Sequence, residues 1–210
     1  MKRARAIHLL VFAITAVVSL AMAAEIRVVD ATVPVRNRLR PPTEGRFGSI
    51  GYKLPLQVRV DVISSGSGGL VDFTLTNVGK TPLQLPISVQ PRDLEPDDPN
   101  ASYSVVVLGI YLTRDSKRES ILPGRVDLYG SSKFPETMDE LPPGGSIRVI
   151  TRMLSGPSSS APVPSGVLRA HVVLEDQRVS TEGGETSEDT KEVGSAESDE
   201  FKLDLGTGPS

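Results

Sequence analysis

The stretch Val71–Ser88, VDFTLTNVGKTPLQLPIS, alternates apolar and polar side chains, stops at a turn, and then alternates again. Val71, Phe73 and Leu75 fall on one side of an extended chain and Asp72, Thr74 and Thr76 on the other, because successive side chains of a strand point to opposite faces. Asn77, Gly79 and Lys80 supply residues that tolerate a turn. Leu83, Leu85 and Ile87 line up on the run that follows, so the stretch reads as a hairpin. Pro82 and Pro86 have no N–H to donate, which places that run at a sheet edge or in an irregular ladder.

The same period extends in both directions. Leu56, Val58, Val60 and Val62 alternate with Gln57, Arg59 and Asp61, and the glycine-rich SSGSGG joins this run to Val71–Leu75 as another hairpin. Downstream, YSVVVLGIYLTR is almost continuously apolar from Val105 to Leu112, which predicts a strand covered on both faces, with the N-terminal segment as the expected cover. A weaker strand is expected at Val126–Tyr129, followed by the turn-rich FPETMDELPPGG. Ile147, Val149 and Met153 oppose Arg148 and Arg152, and Leu168, Ala170, Val172 and Leu174 oppose Arg169, His171 and Glu175. Phe201, Leu203 and Leu205 make a short closing strand. Beyond the first residues no stretch keeps the i, i+3, i+4 apolar spacing of an amphipathic helix over several turns. About seven or eight short strands, each with one apolar face, predict an all-β, immunoglobulin-like two-sheet sandwich, since each sheet must bury its apolar face on the other.

The ends are different in kind. Residues 1–23 carry Lys2, Arg3 and Arg5, an apolar run from Leu9 to Leu20 and the small-residue triplet Ala21-Met22-Ala23, the layout of a secretory signal peptide. Its apolar run is shorter than the roughly 20 residues that span a bilayer, and no later segment is apolar enough to span one. Residues 24–54, with Pro41-Pro42 and Arg36, Arg38, Arg40 and Arg46, are expected to form an extended N-terminal arm with one short strand near Ile26–Val29. Residues 55–206 then form the sandwich domain, interrupted by an acidic loop at 176–200 whose composition is too polar for a core.

Composition narrows the chemistry. The chain has no cysteine, so no disulfide framework, thiolate nucleophile or cysteine-ligated metal is available, and the hydrophobic core must carry stability. Loss of the three leader cations moves the formal net charge from -3 to -6. Most of that charge lies between Thr181 and Glu200, and the remainder of the mature chain is near neutral, which excludes the broad basic face that nucleic acid requires.

FTLTNVGKTPLQLP, LPPGGSIRV and PSGVLRAHVVLED together resemble the Ig-like domains of exported bacterial proteins, of the CARDB type and of the BsuPI type of proteinase-inhibitor-like domain. In those domains a T-N-x-G hairpin is followed by an L-x-P-G turn and a P-G-led late strand. The resemblance covers Leu56–Leu205 and implies a β-sandwich acting as a non-catalytic binding or accessory module. Ser165-Gly166 stands where those domains have Pro-Gly, and no tryptophan fills the core.

Candidate chemical groups are few. His171 is the only imidazole after the leader; its parity places it on a polar strand face with Arg169 and Glu175, as a surface histidine. Asp93, Glu95, Asp97, Asp98 and Asn100 are oxygen ligands of the sort calcium takes, but Pro96 and Pro99 interrupt the loop, Asp98 occupies the glycine position of an EF-hand and Ser104 the position of its bidentate glutamate. Asn100-Ala101-Ser102 matches a glycosylation sequon. No nucleophile elbow, S-x-x-K, H-E-x-x-H or phosphate-binding glycine motif occurs. No catalytic, cofactor or metal residue is therefore assigned, and no cofactor is expected. The expected function is an exported, periplasmic or secreted, binding or accessory module whose partner is another exported or cell-envelope protein. The alternatives are a structural subunit assembling by strand addition through the arm or Phe201–Leu205, and a hydrolase built on Asp93, Asp97 or Asp127.

Overall fold

The computed structural model describes residues 26–32, 52–63, 70–90, 94, 102–114, 119–120, 126–152, 166–182 and 185–203. The leader, most of the arm and the carboxylates of the 93–100 loop lie outside them. In chain order the strands are β1 (Arg27–Ala31), β2 (Tyr52–Lys53), β3 (Leu56–Val62), β4 (Leu70–Asn77), β5 (Leu83–Pro86), β6 (Ser102–Arg114) and β7 (Glu119–Ser120). They continue with β8 (Val126–Gly130), β9 (Met138–Leu141), β10 (Ser146–Arg152), β11 (Gly166–Glu182), β12 (Glu185–Glu197) and β13 (Phe201–Leu203), and a 3-10 turn at Pro135–Thr137 precedes β9.

The smaller sheet has the order β1-β10-β4-β3, with β1 parallel to β10 and the other pairs antiparallel. The larger sheet runs β2-β12-β11-β6, with β7 and β8 on β6 and β13 on β11. Val29, Val149, Phe73 and Val60 lie in one register row across the smaller sheet. Val126, Ile110, Val172 and Ala196 do the same across the larger. All eight belong to one core between the sheets. Each buried Leu, Val or Phe there contributes about 2 kcal/mol of transfer free energy, which is how a chain without disulfides holds an all-β sandwich.

The expected β3–β4 hairpin is present. The run after Asn77 differs from expectation: β5 does not fold back on β4 but pairs with β9, giving a short separate ladder. Asn77 explains the difference. Fully buried, it donates from Nδ2 to the carbonyls of Thr81 at 2.9 Å and Leu141 at 2.8 Å, while its Oδ1 accepts from Gly79 N. Its backbone bonds Gly144 N and Gly145 O, where Gly144 sits at φ 77, in the left-handed region that glycine adopts freely. Both strands of the β4–β10 ladder thus turn a corner together and continue as β5–β9. That corner lets Leu85, Ile87 and Leu141 join the same core as Leu108 and Leu128.

The acidic segment expected as a loop at 176–200 is instead mostly strand. β11 runs on to Glu182 and pairs with β12 from His171 to Glu182, with a bulge between Leu174 and Glu175. Ladder formation needs backbone partners rather than apolar side chains. Here opposite charges stand in register, Asp176 with Lys191 and Arg178 with Asp189. Strand β6 is apolar on both faces: on the face away from the smaller sheet its Tyr103, Val105 and Val107 cluster with Leu94, Tyr129 and Phe134, while most of the arm expected as cover lies outside the described residues. The described ends of the 24–54 segment are both strands, β1 in one sheet and β2 in the other.

Candidate binding groove

The face of the larger sheet that looks toward the smaller one changes character along its length. Leu112, Ile110, Leu108 and Val106 alternate down β6 into the core. The next residues of that parity are Ser104 and Ser102. On β11 their register partners are Arg178 and Ser180, where Leu108 and Ile110 had Leu174 and Val172. Asp189 of β12 stands opposite Arg178. The long strands therefore carry a polar ledge beyond the last apolar row.

A tight turn after β8 walls this ledge. Ser131, 5% exposed, accepts at its carbonyl from Phe134 N at 3.0 Å, donates from its backbone N to Thr137 Oγ1 at 3.1 Å, and donates from Oγ to the Ser104 carbonyl at 3.3 Å. Held at both ends in this way, the turn presents Ser132 and Lys133 to solvent. The resulting open groove has a volume of about 680 Å³, with Ser102, Ser104 and Ser180 on its floor and Arg178, Lys133 and Asp189 around it. Arg178 and Lys133 enter no ion pair among the described residues, so both cations are available to an incoming group. Hydroxyls that both donate and accept, together with a guanidinium fork, suit a carboxylate or another oxyanion set among polar groups.

His171 lies on the expected face, away from the smaller sheet, but it is not a surface residue: it is 3% exposed. Its register partners are Tyr111 and Glu197, with the tyrosine ring centroid 5.0 Å away and Glu197 Oε1 3.1 Å from Nδ1. Strand parity alone does not report how completely neighbouring side chains close over a position. His171 and Arg178 are seven positions apart on β11, about 23 Å at ~3.3 Å per residue, so the imidazole does not belong to the groove.

The other candidates are scattered. Asp127 is half-buried on β8 opposite Gly109. Of the calcium-like loop only Leu94 is described, and it is a buried apolar anchor at 2% exposure. Ser102 of the sequon opens β6 and lines the groove. Among the described residues no three His, Asp or Glu side chains are arranged to hold a metal.

On the outer face of the smaller sheet Asp72, buried at 3%, stands in register with Asp61 and forms an ion pair with Arg148, whose Nε donates to Asp72 Oδ2 at 2.8 Å. This bond holds the Arg148 guanidinium above its ordinary pKa. Asp72 Oδ1 is buried without a hydrogen-bond partner. Arg59 pairs with Asp61 at 3.1 Å. The face is a closed charge network rather than an opening.

The groove is not legible from apolar alternation, because the apolar period of β11 stops at Leu174. The available signal was the alternation of Asp176, Arg178 and Ser180, continued through the adjacent glycines Gly183-Gly184 into a second strand-like run. No family model matches the chain, and no curated protein aligns with it.

Proposed function

We propose that the chain is an exported, non-catalytic binding module of Ig-like fold that docks a carboxylate-bearing segment of another envelope protein in the groove beside Ser104, Arg178 and Lys133. The observation that carries this reading is the polar ledge itself. Two cations that enter no ion pair among the described residues and three serines line a concave site, and Ser104, Arg178 and Ser180 stand at positions where the same strands elsewhere carry core residues. The leader motif and the resemblance to CARDB-type and BsuPI-type domains support the same reading. The one imidazole after the leader is buried and bonded to Glu197 some distance away, which leaves it engaged in the sheet rather than presented to a ligand.

The test is site-specific photo-crosslinking. A crosslinker at Ser132 is expected to trap a discrete envelope protein, and Arg178→Ala with Lys133→Ala to abolish the adduct. An equal yield from a crosslinker at Gln57, on the opposite layer, would refute the assignment. The hydrolase alternative requires activity that Asp127→Asn removes. The strand-addition alternative would use the edge of Phe201–Leu203 that is not paired with β11, or the arm.

A further inference from the structure

A different feature, which shares only Asp189 with the groove, is the outer edge of β12. On its inner side β12 is paired with β11 from Glu185 to Glu197. On its outer side only Gly194 and Ser195 have a partner among the described residues, the two-residue β2, which runs parallel. The contact is extended by Leu54 N donating to Ser195 O at 2.8 Å. This edge therefore already accepts a strand at its C-terminal end and leaves the row from Glu185 to Val193 without a ladder partner among the described residues. Asp189, Thr190, Lys191 and Val193 are exposed along it.

The charge on that row is selective. β12 carries five acidic residues against one lysine. Glu192 faces Glu175 across the ladder, where no cation offsets it in register. Like charges directly opposite on paired strands destabilise the pair, and opposite charges stabilise it. A second copy of β12 is thus repelled, which is how an edge avoids homotypic pairing. A basic extended segment meets both the backbone groups that have no ladder partner among the described residues and the Glu192 carboxylate. We infer that the β12 edge from Glu185 to Val193 is a docking rail for a basic extended peptide segment of a partner protein, added as a further strand of the larger sheet next to β2.

The experiment uses the leaderless chain and a short peptide of alternating arginine and valine. Expected results are binding that weakens as salt rises, slowed amide exchange in β12 on binding, and no binding by the same peptide N-methylated at alternate positions. Glu192→Lys is expected to weaken binding about tenfold, the factor that corresponds to 1.4 kcal/mol. Equal binding of the N-methylated peptide, or unchanged β12 exchange, would reduce the contact to side-chain charge and overturn the inference. So would binding of a peptide copying Glu185–Glu197, which would make the edge homotypic. Failure of the basic peptide to bind at all overturns it as well. The chain's own Arg36, Arg38, Arg40 and Arg46 are the remaining occupant: if changing all four to Gln speeds β12 exchange without any peptide, the partner is internal and the inference falls.

Discussion

Asn77 and Leu141 meet at the point where the two layers of the sandwich are joined: the Asn77 side-chain amide donates to the Leu141 carbonyl at 2.8 Å, in a site with no solvent exposure at Asn77. One side chain thereby ties the β4–β5 corner to the β9–β10 corner, and the position of the short ladder over the larger sheet depends on it.

Replacing Asn77 with Ala strips partners from the carbonyls of Leu141 and Thr81 and from Gly79 N. With several buried polar groups left unsatisfied, the expected loss is about 3 kcal/mol, read as a fall in the urea midpoint. Asn77→Asp is expected to be at least as damaging, because it turns a carboxylate oxygen toward two carbonyls. A midpoint unchanged by either substitution would show that the corners hold without it.

Two glycines separate backbone strain from crowding. At Gly144 an added Cβ meets nothing within 4 Å, but φ is +77, so Gly144→Ala is expected to cost about 1 kcal/mol from conformation alone. At Gly130 the same methyl would collide with Met138 Sδ and with Pro86 Cβ, which lies only 2.9 Å from it. Gly130→Ala should therefore lower the denaturation midpoint further than Gly144→Ala, and the reverse order would contradict the packing of β8 against the β5–β9 ladder.

The outer charge network gives a comparison of two arginines. Arg148→Ala leaves the buried Asp72 carboxylate, which already has one unpaired oxygen, without its only cation among the described residues. Arg59→Ala leaves Asp61 in contact with water at 47% exposure. The first variant is expected to be clearly destabilising and the second nearly silent, because only the first strands a charge away from solvent. Adding Asp72→Asn to Arg148→Ala should recover part of the loss, a non-additivity that a double-mutant cycle measures.

Asp30 provides the pH dependence. Its Oδ1 accepts from Thr32 Oγ1 at 2.6 Å and from Thr32 N at 2.9 Å, and these bonds hold the carboxyl below its ordinary 3.8. A depressed folded value means that the contribution to stability is present above 3.8 and is lost as pH falls through the lowered value. An NMR titration should place Asp30 below 3.8 in the native chain and shift it upward in Thr32→Val. An unshifted Asp30 in the native chain would remove the turn at the end of β1 as the cause.

How far the fold was legible follows from which force set each element. Where burial on one face sets a strand, as at Val58, Phe73 and Val172, the period of two is plain in the sequence and the two-sheet architecture follows from it. Where backbone pairing and charge set it, as in Glu185–Glu197, no apolar alternation exists to be read, and the composition points to a loop. β9 was hidden for a related reason: Met138–Leu141 has one buried side chain, Leu141, and depends on β5 for its ladder. The groove inherits both difficulties, since its floor is made of the polar positions that burial arguments pass over. His171 shows the converse, a polar residue on the correct face closed over by Tyr111 and the sheet around it.

The first strands of the chain have consequences for the order in which the molecule can assemble. β1 finds its neighbour in β10, and β2 finds its neighbour in β12, so Arg27 waits for Ile147 and Tyr52 for Gly194. A polypeptide that leaves the ribosome N-terminus first cannot complete either sheet until most of its length has been made. Such long-range closures make folding slow relative to local hairpins. While its early segments lack partners the chain remains open and threadable, and the last strands synthesised act as the latch.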